Sequence, residues 1–350
     1  MEKVVPIKIL FLSHVFAPGI GGIESSSQFL IDTFLKAGHE IRLLTMQPGG
    51  PDIESPFSII RRPSWSELVE QHRWADIVFE NNPCVRLGWP KLFFGKPSIV
   101  VLHTWLTATE EDTLVSRLKT TWLARADKVV AISEALQQRC WPKALLIGNS
   151  YDDKVFTIQP AVERKKDFVF VGRLVSDKGV DLAIRAFARM VTADSDPDLA
   201  LVTFTIIGVG PDKEMLEALA ASLLPPGRVH FVGSLRGAAL AEELNRHSYQ
   251  FIPSMWREPF GIVALEGIAC GLIPIVSDGG GLPYAVGDAG VVFHRGELDS
   301  LVETTRQLLA SPEQQQKCLL AGPAHLAEFN PVKITRQFVE LVEAVGRRVN

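Results

Sequence analysis

Two glutamates eight residues apart, Glu258 and Glu266, lie in the apolar segment MWREPFGIVALEGIACGLIPIVSDGGGLPY at 255–284. Pro259 suits the first position of a helix, which puts Glu258 at the helix entrance and Glu266 two turns further along. Eight residues at about 100° each end about 80° past two full turns and advance about 12 Å, so both carboxylates share roughly one side. Phe260, Ile262, Val263 and Leu265 make this a largely buried helix, and a carboxylate held there needs polar partners. Such a span suits a sugar at one end and a ribose at the other, with phosphate near the helix N-terminus; the alternative is an ordinary charged face. Upstream, VGRLVSDKG (171–179) places Arg173 and Lys178 in a loop. Two long cations at a strand's C-terminal edge can neutralise a diphosphate, although a solvated loop has the same composition. A third segment, SHVFAPGIGGIES, is a glycine-rich turn leading into a helix. Its N–H groups and the helix dipole suit phosphate, or it is simply a tight turn. It is not a dinucleotide fingerprint, because Gly19-x-Gly21 leads to Glu24 instead of a third small residue, and the second strand ends LLTMQ without an acid for a ribose.

These segments need elements that present them along one edge. Short apolar runs alternate with helical patterns, the rhythm of βαβ units and a parallel sheet. Residues 7–13, 40–45, 76–81, 97–102 and 128–133 read as strands buried on both faces, with helices over 24–37 and 110–126. A second series of strands occupies 167–172, 200–208, 228–233, 249–254, 272–277 and 289–294. Helical patterns at 178–192, 211–223, 237–247, 259–270 and 297–309 separate them. Residues 147–167, rich in turn formers and charge, read as the linker between two domains. Residues 331–348 start at a proline and set Ile334, Phe338, Leu341, Val342 and Val345 at helical spacing, an amphipathic terminal helix. In open sheets of this kind, ligands bind beyond the C-terminal ends of the strands, where all three candidate loops fall.

Length and composition agree. The chain has 350 residues, enough for two domains with separate cores. Its 36 basic and 40 acidic residues give a net charge of -4, which excludes the electrostatic footprint of a nucleic-acid binder. Cys84, Cys140, Cys270 and Cys318 are scattered, with no CxxC pair, so neither a zinc site nor a disulfide framework is expected, and a cytoplasmic location is the default. The acidic run Asp194, Asp196, Asp198 precedes a strand, at the wrong edge for a catalytic metal. It also fails as a calcium loop, with Leu199 and Thr205 at the sixth and twelfth positions.

Taken together, GRL…KG, IIGVGP, HFVG, SLR and EPFGIVALEGIACGLIPIV resemble the nucleotide-sugar-binding domain of the GT-B retaining glycosyltransferases of family 4. The first half is similar through FAPGIGGIE, GHEIRLLT, VVLHTWL and ADKVVAISEAL, so the resemblance covers nearly the whole chain. It implies an α/β GT-B fold of two Rossmann-like doubly wound domains facing a central cleft. Residues 1–155 would bind acceptor and 165–330 donor, and the C-terminal helix would cross back to the first domain. It implies sugar transfer from a UDP- or GDP-sugar to a hydroxyl acceptor with retention of configuration, without metal or other cofactor, in glycan, polysaccharide or glycolipid biosynthesis. Carried over residue by residue, Arg173 and Lys178 would bind the diphosphate, Glu258 the sugar hydroxyls and Glu266 the ribose. The backbone of Phe260, Gly261, Ile262 and Val263 would lie at sugar and phosphate. Gly21 and Gly22 would approach the phosphate, and His103 would lie near the anomeric carbon. The base would rest near Gly210 and the 234–236 loop, including Leu235. Two departures stand out: Tyr284 occupies a position where the family has a carboxylate, and GNSYDD replaces the usual NG-V/I-D linker sequence. Rival readings are a GT-B sugar-nucleotide epimerase or hydrolase, and a catalytically silent nucleotide-sugar-binding subunit.

Six of the seven tryptophans precede residue 160. Trp105, two residues past His103, and Glu24 are the candidates for acceptor contact. In 113–128, Leu114, Leu118 and Trp122 recur at helical spacing beside Arg117, Lys119, Arg125 and Lys128. That pattern suits either a crossover helix covering the sheet or peripheral contact with an anionic membrane carrying a lipid-linked acceptor.

Overall fold

In a computed structural model describing residues 5–19, 21–49, 55–107, 113–165, 167–193, 199 and 201–347, the apolar runs pair as parallel strands in two sheets. The aspartates 194, 196 and 198 lie outside the described residues. The chain divides into two units, residues 1–149 with 332–350, and residues 150–331.

The first unit contains β1 (Lys8–Ser13), β2 (Glu40–Thr45), β3 (Ser58–Arg61), β4 (Ile77–Asn81), β5 (Ser98–Leu102), β6 (Lys128–Ala131) and β7 (Leu145–Leu146), in the order β3-β2-β1-β4-β5-β6-β7. Its helices are α1 (Gly22–Lys36), α2 (Trp65–Trp74), α3 (Val85–Gly88), α4 (Lys91–Phe94), α5 (Leu114–Leu123) and α6 (Glu134–Cys140). Strands β1, β4 and β5 are almost wholly buried, as parallel strands covered on both faces must be. The short edge strands β3 and β7 are absent from the sequence reading because four and two residues carry too little periodicity to register. The second unit holds β8 (Phe168–Val171), β9 (Phe204–Ile207), β10 (Val229–Gly233), β11 (Tyr249–Ile252), β12 (Ile273–Ser277) and β13 (Val291–Phe293), ordered β10-β9-β8-β11-β12-β13. Around them lie α7 (Val180–Ala193), α8 (Lys213–Leu223), α9 (Gly237–Asn245), α10 (Ile262–Ala269), α11 (Leu282–Val286), α12 (Leu298–Ala310) and α13 (Pro312–Glu328). The last helix, α14 (Pro331–Gly346), packs in the first unit: Phe338 lies 6.2 Å from the Phe79 ring, and Gly346 abuts Ile7.

Both sheets reverse their winding once, between β1 and β4 and between β8 and β11. At such a switch point adjacent strands send their connections to opposite faces, which opens a crevice at their C-terminal ends. The core of the second unit contains a stack of rings. Phe168 lies 4.7 Å from Phe251 and 5.9 Å from Phe187, all fully buried. The segment after Asn149 is part of this unit and not a free linker. Phe156 is buried against Val169 and Leu240, and Arg164 donates to the carbonyls of His247, Cys270 and Gly271.

One further expectation is corrected. Helix α10 begins at Ile262, not Pro259, because Gly261 takes φ 113°, a left-handed conformation that ends the preceding loop. Of the two readings of 113–128, the crossover helix accounts for Trp122, which faces inward. Trp122 is 4% exposed, and its Nε1–H donates to Glu80 at 2.8 Å, leaving Leu114, Val115 and Leu118 as the exposed apolar residues of α5. Glu80 is fully buried and accepts also from Lys91 Nζ (2.6 Å) and the Cys84 N–H (2.7 Å), so both oxygens of this buried carboxylate are hydrogen-bonded.

Candidate nucleotide-sugar site

The switch point of the second unit brings together the loops after β8 and β11, the two that carry the cations and the first glutamate. After β8 the chain runs through exposed Arg173 into a single tight turn, Ser176–Lys178, closed by Gly179 at φ 68°. A Cβ on Gly179 would strike the Pro253 carbonyl, so the two loops approach at a point only glycine permits. The Asp177 carbonyl then accepts the N–H groups of Met255 (2.9 Å) and Trp256 (3.2 Å), stitching the loops together. The result is an ion pair between Lys178 Nζ and Glu258 Oε1, and the Ser254 hydroxyl donates to the same oxygen at 3.0 Å. Both side chains are mostly buried, at 22% and 15% exposed, so the pair is worth more than a surface contact.

Glu258 therefore stands in a loop and not on a helix. Its backbone forms a parallel bridge with Gly280, and its carbonyl accepts the Gly281 N–H at 2.7 Å. Side chains at Gly280 or Gly281 would collide with the carbonyls of Glu258 and Pro259, which explains the GGG run after β12. Gly261 then turns the chain into α10. Among the described residues no side chain caps that helix, so its first-turn N–H groups, with the dipole behind them, present a positive end beside Glu258. The buried Gln250 amide donates to the Val263 carbonyl at 3.2 Å, in a space left by Gly267, and anchors this first turn from below.

Glu266 lies one turn further, half-buried on α10, and no hydrogen bond from the described residues reaches its carboxyl. Burial, helped by the neighbouring negative charge of Asp152, pushes its pKa up to about 7. Gly210 follows β9 and packs on the Leu174 carbonyl, where any side chain would clash, and Leu235 follows β10 against the core that includes Ile207 and Leu240. Loops after β8, β9, β10, β11 and β12 thus share one edge.

Tyr284 fills its position as packing. Its ring lies 6.1 Å from Phe260 and 5.4 Å from Phe329, wedging the back of the 258–261 loop. Phe260 itself is 2% exposed, so its side chain supports the loop while its backbone is the part available to ligand.

In the first unit, the other candidates surround the β1/β4 switch. Gly21 is the N-cap of α1, with extended backbone, and Gly22 its first residue. The Glu24 carboxylate folds back over this loop; a Cβ on Gly21 would lie 2.6 Å from Glu24 Oε2. His103, 6% exposed, follows β5, and its backbone N–H donates to Asn82 Oδ1 at 2.8 Å. Burial lowers its pKa to about 4, so the imidazole is neutral near pH 7. Trp105 is half-buried, with the Arg139 guanidinium 5.7 Å from its ring centroid. Sequence reasoning missed Ser254, Asp152, Ser26 and Asn82. Each sits within a few residues of a strand's end or a candidate side chain, and that position was the only signal available.

Two doubly wound α/β units, the second with a cation–carboxylate pair at its switch point, define the GT-B architecture. Residues 152–323 match the profile of the family described as glycosyl transferases group 1. An uncharacterized glycosyltransferase of Methanocaldococcus jannaschii is 36% identical over 335 residues, covering 79% of this chain and 82% of that protein. The D-inositol 3-phosphate glycosyltransferase of Acidothermus cellulolyticus is 27% identical over 77% of this chain, which spans 65% of that relative's length. Among solved structures, Anabaena HepE in complex with UDP superposes with a TM-score of 0.82 at 19% identity, covering 97% of this chain and 100% of that one. Sucrose-phosphate synthase from Thermosynechococcus elongatus gives 0.76 at 21% identity, covering 98% and 100%. The chain belongs to the group 1 glycosyl transferases.

Proposed function

We propose that the protein moves a sugar from a nucleoside diphosphate sugar, with uracil or guanine as base, to a hydroxyl acceptor, with retention of configuration and without a metal, in glycan, polysaccharide or glycolipid synthesis. The observation that carries this reading is the Lys178–Glu258 pair, held by Ser254 beside the uncapped start of α10. A diphosphate at that helix end gains the dipole and first-turn N–H groups, with Arg173 and Lys178 neutralising its charge. Lys178 is then shared between Glu258 and phosphate, and Glu258, fixed at one oxygen, keeps the other for sugar hydroxyls. Glu266 takes the ribose, the backbone of Phe260 to Val263 follows sugar and phosphate, and Gly210 and Leu235 border the base. Gly21 and Gly22 serve the phosphate, His103 the region of the anomeric carbon, and Glu24 and Trp105 the acceptor.

The bond from the anomeric carbon to the diphosphate oxygen breaks as the acceptor oxygen bonds on the same face, and the acceptor's proton passes to the departing diphosphate. Cations and helix dipole stabilise the charge that develops on that leaving group. The exposed Leu114, Val115 and Leu118 of α5, beside Arg117, are the surface for peripheral contact with an anionic membrane. HepE's complex with UDP supports the donor class by fold.

Thermal shift with UDP, GDP, ADP and TDP tests the donor site. A ligand at a hundred times its dissociation constant stabilises by about 2.7 kcal/mol. One base should stand out; no shift with any of the four would sink the assignment.

A further inference from the structure

Two segments of the first unit, the end of β4 and the start of α1, converge on His103. Asn82, at the end of β4, has φ 75°, a left-handed backbone that costs energy in any residue but glycine, and that places its Oδ1 on the His103 N–H. Asn81 Nδ2 reaches into the first turn of α1, donating to Ser27 Oγ at 2.7 Å and to the Ile23 carbonyl at 3.3 Å. Ser26, on that same turn, sets its Oγ 3.3 Å from His103 Nε2. Backbone and ring of His103 are thus held separately, the first by β4 and the second by α1.

The two serines of that turn are used differently. Ser27 spends its hydroxyl proton within the cluster, toward the Ile23 carbonyl at 2.8 Å and Ser13 Oγ at 3.2 Å. Among the described residues, Ser26 makes no such bond to the Gly22 carbonyl one turn back, so its proton is free for the ring nitrogen. We propose that Ser26 is a positioning residue that donates to His103 Nε2 and so holds the ring proton on Nδ1, making Nδ1–H the group presented to the substrate. A neutral ring has one donor and one acceptor nitrogen, and whichever is occupied decides what the other offers. Sugar hydroxyl and phosphate oxygens both accept hydrogen bonds, so a fixed N–H serves them without a charge change. The inference rests on the role given to His103 above. Ser26 lies one helical turn past Gly22, so the helix that the glycine loop opens also orients the histidine.

The test uses the full chain labelled with nitrogen-15 at histidine, with His103→Gln identifying the signal. In nucleotide-free protein, Nδ1 should carry the proton and Nε2 should show the shift of an unprotonated ring nitrogen. Ser26→Ala should mix or reverse the two, and Ser26→Thr should preserve them. Turnover in Ser26→Ala should fall about tenfold with the donor KM within about twofold, the loss expected of one orienting hydrogen bond, and Ser26→Thr should recover it. A wild-type ring protonated at Nε2 overturns the proposal. So does a Ser26→Ala protein, folded by its melting curve, with unchanged tautomer or unchanged turnover. Failure to bind any nucleoside diphosphate would instead refute the donor site, and the tautomer measurement would still decide the role of Ser26.

Discussion

Replacing Glu266 by glutamine separates what this residue costs the fold from what it contributes to a ligand. Its pKa of about 7 lies well above the ordinary 4.5, first because the carboxylate is desolvated and second because Asp152 repels it. A group raised in this way stabilises the folded state fully below pH 4.5 and loses that contribution as pH rises through 7. At about 1.36 kcal/mol per pH unit, the loss approaches about 3 kcal/mol above pH 7, an upper bound because part of the group remains in contact with water. Glutamine has the same shape and no charge to desolvate. Glu266→Gln should therefore match the wild type near pH 4.5 to 5 and exceed it by about 2–3 kcal/mol at pH 8, measured by urea unfolding at each pH. Nucleotide binding should move the other way. A carboxylate accepts ribose hydroxyls more strongly than an amide, so UDP or GDP should bind the variant about tenfold more weakly at pH 8. Wild-type affinity should decline as pH falls from 8 to 6 and the carboxylate takes up its proton, while the variant's stays flat. A stability gain equal at pH 5 and pH 8, or no gain at either, would refute the electrostatic account.

Other substitutions probe the rest of the site and its support. Glu258→Ala should reduce turnover far more than nucleotide affinity, whereas Arg173→Ala should weaken UDP or GDP itself; equal and small effects in kinetics and calorimetry would contradict both roles. Gly280→Ala should destabilise by more than about 1 kcal/mol, since φ 77° disfavours alanine and its Cβ would meet the Glu258 carbonyl, and a melting temperature unchanged from wild type would count against this close approach. Glu80→Ala leaves the Lys91 charge buried with only the Ser98 hydroxyl and the Trp122 N–H without its acceptor and should cost about 3–5 kcal/mol in denaturant unfolding, while a loss below about 1 kcal/mol would mean that water replaces the carboxylate.

The glycines around Glu258 show how a site with little local periodicity holds its shape. Gly179, Gly261, Gly280 and Gly281 each sit where another backbone or side chain passes too close for a Cβ, or where φ is positive. With these contacts in place, the loops after β8, β11 and β12 form one layer, and Tyr284 and Phe329 fill the space behind it. The site is thus built from the closeness of three loops and not from one helix carrying two glutamates.

Most of the architecture was legible in the residues. Strands such as 7–13 and 97–102 announce themselves as apolar runs without alternation, because both faces are covered, and the terminal helix by its spacing from Ile334 to Val345. The chemistry was legible too, as residue types: two acids, two cations and glycines in loops between those runs. What could not be read was any relation between segments distant in the chain. Helix α13 runs through Pro323, which argues locally for a break, and tertiary packing overrides it. Trp122 turns inward because Glu80, 42 residues earlier, offers an acceptor. Lys178 meets Glu258 across 80 residues because β8 and β11 are neighbours at a switch point. Hydrophobic period and turn chemistry are local properties, so sequence alone determined the elements and the inventory of reactive groups. Pairing, burial and the protonation of Glu266 and His103 depend on what lies across the sheet, and only the tertiary structure decided them.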